Sequence, residues 1–135
     1  MLVGGCFDLL HFGHIQFLTE AKKLGDRLVV ALESDESVRR MKGATRPIHT
    51  QAQRQAMLES LSVVDEVIPL TPLKTDADYA ALVTSVHPSV IALTQGDPME
   101  IKKRAHAALI HAEVVLIPKV HTPSTSQLAK LLDLE

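Results

Sequence analysis

Cysteine is almost missing from this chain. Cys6 is the only one in 135 residues, so no internal disulfide can form and a reducing compartment is the expected setting. Tryptophan is absent and aromatics make up 3% of the residues, which leaves little with which to build base-stacking platforms. Lys and Arg number 14 against 16 Asp and Glu; the formal charge of −2 offers no broad basic field to a nucleic-acid partner. No apolar run approaches the roughly 20 residues of a membrane span, and no charged-then-apolar leader opens the chain. Repeats, low-complexity tracts and linkers are lacking too. What is there is a 46% hydrophobic chain of one-domain length, able to bury a core. It reads as a cytoplasmic domain with neither nucleic acid nor membrane as partner.

Strands and helices alternate along it. Met1 to Val3 is a short apolar start. A strand of about four residues falls below the usual ~5–6, which leaves residues before Met1 as an open alternative. Ile15, Leu18, Ala21 and Leu24 mark one face of a helix that Gly25-Asp26 ends. Residues 28–32 form a continuous apolar run, as in a strand covered on both faces. Residues 33–49 are polar and cation-rich. Thr50 with Gln53 predicts a capping box at the start of a second helix. A third strand falls within residues 63–70, a helix within 77–86 after Thr75/Asp76, and a fourth strand at 90–93. Asp97-Pro98-Met99-Glu100 has the cap, proline and glutamate of a helix start. A fifth strand at 114–117 and a last helix, capped by Ser124 with Gln127 and running to Leu134, close the pattern. This alternation predicts a doubly wound parallel α/β sheet. Such sheets bind ligands at the carboxyl ends of their strands. The loops on that edge hold the unusual polar residues.

Chief among them is Gly5-Cys6-Phe7-Asp8-Leu9-Leu10-His11-Phe12-Gly13-His14, between a strand and a helix. Three residues is nearly one helical turn, so His11 and His14 can point the same way. Gly13 permits close approach of the backbone. Amides at a helix start and two candidate cations make a phosphate site. A zinc site is the alternative, but nothing completes the usual three or four ligands, so no metal-binding side chain is assigned. Cys6 reads as a small core-edge residue or as a catalytic thiol, and the former is preferred. Asp8 is open between an acceptor or metal contact and a turn-forming carboxylate. A nicotinamide oxidoreductase is disfavoured, because no G-x-G-x-x-G turn follows the first strand.

Gly5-x-Phe7-Asp8-x-x-His11-x-Gly13-His14 resembles the signature of the cytidylyltransferase-like nucleotidylyltransferases. Further resemblances follow in order: residues 24–31 with Ser34-Asp35-Glu36, then Arg54, then residues 64–68, then Ser124-Thr125-Ser126. Lys42-Gly43-x-x-Arg46-Pro47-Ile48 is similar to the corresponding loop of the heptose-1-phosphate adenylyltransferases. Together they span nearly the whole chain. The resemblance implies one Rossmann-like domain over residues 1–135, with helices on both faces of a five-stranded sheet. It implies transfer of a nucleotidyl group from ATP or CTP, with Mg²⁺ as cofactor, to a phosphorylated small-molecule acceptor, and release of pyrophosphate. A homodimer is the candidate assembly.

The same resemblance distributes roles. His11, His14 and Lys42 become the catalytic candidates. Gly5, Cys6, Phe7, Gly13, Arg54, Gly96, Asp97, Lys119, Ser124, Thr125 and Ser126 become nucleotide- or phosphate-binding candidates, and Asp8, Asp35 and Arg46 acceptor-binding ones. The chain departs from the family at Thr94-Gln95-Gly96-Asp97-Pro98, where sugar-nucleotide members carry a run such as Gly-Gly-Asp-Tyr. It also has Lys119 where many relatives have arginine, which gives up the bidentate fork. A sugar-phosphate adenylyltransferase is the leading expectation. Glycerol-3-phosphate-type cytidylyltransferase and FMN adenylyltransferase are alternatives, as is a non-catalytic nucleotide sensor. His49, His87, His106, His111 and His121 have no supporting pattern and are expected at the surface or in loops.

Overall fold

The computed structural model describes residues 1–120, 127 and 130–132. Its strands are β1 (Leu2–Gly5), β2 (Val29–Leu32), β3 (Glu66–Pro69), β4 (Val90–Thr94) and β5 (Glu113–Ile117). The helices are α1 (Phe12–Lys22), α2 (Asp35–Lys42), α3 (Gln51–Glu59), α4 (Asp76–Val86) and α5 (Glu100–Leu109). All strand pairs are parallel and run in the order β3-β2-β1-β4-β5. The order reverses between β1 and β4, which is where such a sheet opens a crevice for ligands.

Period-two alternation divides the core. Val3, Val30, Leu32 and Val67 pack with Leu18 and Ala21 of α1 and Leu58 of α3. Leu2, Val29, Ala31 and Ile91 face the other way and pack with Val83 of α4 and Ala107 of α5. Helices therefore cover both faces, as expected, and β2 is buried along its whole length. Among the described residues no helix is long and apolar enough to cross a membrane.

Two boundaries differ from the sequence expectation. Residues 35–42 form a helix, α2, where only a polar stretch was expected. Ser34 caps it by accepting from the Ser37 amide at 3.1 Å, and Val38 is its one fully buried apolar anchor. So narrow an apolar signal leaves little periodicity to read. The helix expected to open at Asp97 starts instead at Glu100, and its N-cap, Met99, makes no side-chain cap. Asp97 still bonds the Met99 amide at 2.7 Å, but in a turn ahead of the helix. The predicted box at Thr50–Gln53 is present, and the cap expected at Thr75/Asp76 is Thr75, in a box with Asp78. The cap predicted at Ser124 lies outside the described residues.

Candidate active site

The chain leaves β1 through a tight bend. Phe7 and Leu9 have positive φ values of 47° and 54°, a costly region for side chains of this size. A Cβ on Gly5 would come within 2.9 Å of the Phe7 ring, so glycine is what lets the ring fold back there. Phe7 is buried and lies 5.4 Å, centroid to centroid, from the His14 ring.

His11 then caps α1 in an uncommon way. Its Nδ1 accepts from the Gly13 amide at 3.0 Å, while His14 Nδ1 accepts from the His11 amide at 3.2 Å. The two imidazoles thus form a reciprocal capping box. Each spends its Nδ1 lone pair on the backbone, so in the neutral ring the proton sits on Nε2. The rings stack at 3.9 Å with 24° between their planes. Burial lowers the pKa of both. For His14 burial, His11 and Lys42 together bring it down to about 4. The two candidate cations are therefore a pair of neutral rings, with both Nε2–H groups pre-oriented as donors. The amides of Gly13 and His14 are not free either. The first goes to His11 Nδ1 and the second to the His11 carbonyl at 3.0 Å.

Two cavities open on this edge of the sheet. The first, about 510 Å³, lies between α1 and the ends of β1, β4 and β5. It gathers Gly5, Cys6, Phe7, His11, Gly13 and His14, with Asp97 and Lys119 across from them. The second, also about 510 Å³, lies between the sheet and α2, α4 and α5. Gly4, Gly5, Cys6, Leu93 and Lys103 line both, so the end of β1 is the ridge between them.

The cytidylyltransferase-like family model matches residues 2–128. The chain belongs to the cytidylyltransferase-like family. It is a nucleotidyltransferase domain. The bifunctional protein HldE of Aeromonas hydrophila is 39% identical over 98% of this chain, which covers 27% of that protein. HldE of Blochmanniella pennsylvanica is 58% identical over 69 residues, 51% of this chain and 14% of that protein. The chain therefore spans about a quarter or less of these relatives. The crystal structure of a lipopolysaccharide core biosynthesis protein from Thermoplasma volcanium superposes with a TM-score of 0.70 at 34% identity, covering 88% of this chain and 95% of that one. A pantoate-beta-alanine ligase from Francisella tularensis, 17% identical with a TM-score of 0.62, shares the fold.

Several residues expected at the substrates are instead in the frame of the cytidylyltransferase-like site. Asp8 and Arg46 are 1% and 2% exposed, and Arg46 Nε meets Asp8 Oδ2 at 2.7 Å. Asp8 also accepts from the amides of Ile48 and His49 at 2.7 and 3.0 Å. Burial alone would raise its pKa, but those amides and the guanidinium outweigh it and hold the carboxylate below its usual range. The pair ties the β1 loop to residues 46–49, and neither side chain is open to an acceptor. Arg54 is fully buried. It donates to the carbonyls of Cys6 (2.7 Å), Glu33 (3.0 Å) and His49 (3.1 Å) and to Asp35 Oδ1 (2.7 Å). That corrects the expected phosphate contact: Arg54 holds three loops together, and Asp35 is its partner.

Lys42 is exposed at the end of α2, yet its charge reaches both Cys6 and His14. Gly96, at φ +86°, makes the turn after β4 and does not line the first cavity. Burial raises the Cys6 thiol above its ordinary pKa, which suits the core-edge reading over a thiolate nucleophile. Ser124, Thr125 and Ser126, like His121, lie outside the described residues.

Sequence reading missed four groups. Lys103 Nζ pairs with Asp97 Oδ2 at 2.7 Å on the ridge. Glu33, just after β2, is buried and accepts from the Tyr79 hydroxyl at 3.0 Å. His106, expected at the surface, is buried with Nε2 2.9 Å from Asp76 Oδ1. One signal was available: an acidic residue directly closing a strand covered on both faces. His87 and His111 adopt positive φ at the ends of α4 and α5, as the loop expectation allows. His49 is half-buried beside Asp8.

Proposed function

We propose that this domain is a sugar-phosphate adenylyltransferase, with a heptose 1-phosphate as the first candidate acceptor. One observation carries the reading: two cavities of equal volume meet at the Gly5–Cys6 ridge beside the histidine box. A transfer between two bound molecules needs that layout, because attacking and leaving oxygens must lie on opposite sides of one phosphorus. The nucleotide takes the α1 side and the acceptor takes the α4–α5 side. An acceptor phosphate oxygen attacks the α-phosphorus, the new P–O bond forms, and the bond to the β-phosphate oxygen breaks to release pyrophosphate.

His11 and His14 donate from Nε2 to the phosphate oxygens as charge builds there. No reorganisation is required, since the helix start already holds both rings. Lys119 and Lys42 add point charges, and Lys103, steadied by Asp97, serves the ridge. Mg²⁺ carried by the triphosphate would neutralise charge on the leaving pyrophosphate, held by phosphate oxygens and water. A relative described as acting in lipopolysaccharide core biosynthesis supports a sugar acceptor.

The test is pyrophosphate release with ATP or CTP against heptose 1-phosphate, glycerol 3-phosphate and FMN. Turnover is expected with ATP and the heptose. Turnover confined to CTP and glycerol 3-phosphate, or to FMN, would replace this reading. Tight nucleotide binding without turnover would make the domain a sensor.

A further inference from the structure

The acceptor-side cavity contains a buried acid that nothing in the transfer chemistry requires. Glu33 is 8% exposed. Its Oε1 is taken by Tyr79, but Oε2 is buried without a hydrogen-bond partner among the described residues. Buried polar atoms are rarely left in that state, and an acceptor atom so placed at a cavity wall is open to a donor from a molecule in the cavity. Glu33 and Tyr79 both line the cavity, and the His106–Asp76 pair sits on the same wall. Burial raises the Glu33 pKa although Tyr79 and nearby Arg40, Lys103 and Arg54 oppose this, so the group gains from any added donor.

Charge decides which part of a ligand fits here. A carboxylate wall repels phosphate and accepts from hydroxyls. Cations line the same cavity at Arg40, Lys74 and Lys102, and Lys103 sits on the ridge toward the nucleotide. An acceptor with phosphate at one end and hydroxyls at the other would lie with its phosphate on the ridge and its hydroxyls toward Glu33. We propose that Glu33 Oε2 accepts a hydrogen bond from an acceptor hydroxyl, and that Glu33, held by Tyr79, is a specificity-determining residue for a polyhydroxylated acceptor. This rests on the two-cavity reading above. Sites built around a buried acceptor atom discriminate strongly, because an analogue lacking the hydroxyl leaves that atom unpaired.

The experiment is steady-state kinetics of wild type and Glu33→Gln with ATP and heptose 1-phosphate, repeated with its mono-deoxy analogues. The acceptor KM of Glu33→Gln is expected to rise about 10- to 100-fold, the range of a hydrogen bond to a charged group. KM for ATP should change by less than about threefold. One mono-deoxy analogue should show the same loss with wild type and no further loss with the variant. An unchanged acceptor KM, or an equal rise in both KM values, overturns the assignment. If Glu33→Gln does not fold, the wild-type analogue series with Tyr79→Phe decides. A uniform response to every analogue, with an unchanged acceptor KM in Tyr79→Phe, is the overturning result. Wild type that transfers to no acceptor sinks the two-cavity reading itself, whereas normal wild-type turnover with an indifferent Glu33→Gln sinks only Glu33.

Discussion

The histidine box and the arginine network meet at the loop after β1, and Asp8 belongs to the same signature as His11 and His14, yet the two have opposite fates. His11 and His14 spend one ring nitrogen each on the backbone and keep the other for the cavity. Asp8, Arg46 and Arg54 are sealed and bond to groups inside the protein. The difference teaches that a motif around a phosphate site holds two populations. One touches the ligand; the other fixes the loops that carry it. Charge alone does not sort them, since the sealed members are the formally charged ones.

The largest effect should come from the sealed group. Arg54→Met leaves the Cys6, Glu33 and His49 carbonyls and Asp35 without their donor. Stability is expected to fall by about 3–5 kcal/mol, since each of three carbonyls left without its donor costs about 1–3 kcal/mol. Chemical denaturation reads this directly; a loss under about 1 kcal/mol would move Arg54 to the ligand side of the comparison. His14→Ala should do the reverse. Its kcat for pyrophosphate release should drop about 10²–10³-fold, while stability changes by roughly the 1 kcal/mol of a lost cap. Near-normal kcat would end the donor role.

The pH dependence sharpens the same contrast. His14 titrates near 4 in the folded protein and at its ordinary 6.5 when unfolded, chiefly because burial disfavours the charged ring. The unfolded chain therefore binds the extra proton between those values, so this contribution is present above about pH 6.5 and lost as pH falls toward 4. It amounts to at most about 3 kcal/mol. Denaturation midpoints from pH 4 to 7 should show a shallower slope in His14→Ala than in wild type, and parallel slopes would contradict the shift. The smallest effect is expected on the ridge. Asp97→Asn frees Lys103 without removing it, so a rise of up to about fivefold in the KM for ATP, with little change in kcat, should appear in the same assay. A fall in kcat instead would place Asp97 at the reacting atoms.

Much of this was legible because its signals are local. Apolar runs located β2, β4 and β5 to within a residue, and the Thr50–Gln53 box located α3. The carboxyl-edge rule then placed His11, His14, Asp97 and Lys119 on one cavity without any long-range information. What escaped depends on pairing across the chain. Arg54 reads like any helix-start arginine until two distant carbonyls, of Cys6 and Glu33, converge on it with the nearby one of His49. Glu33 and Tyr79 are 46 positions apart, and so were invisible as a pair. The α2 helix escaped because Ser37 and Val38 are its only buried residues.

The ridge at Gly5–Cys6 has a consequence for ligand discovery. Its two sides are separated by the end of a single strand, so a fragment that occupies either one already has its free end beside the other. Joining two weak fragments across that crest makes the second encounter intramolecular, and the gain depends on a linker short enough to match one strand's breadth. A compound of that shape would have to match a chamber on each side at once.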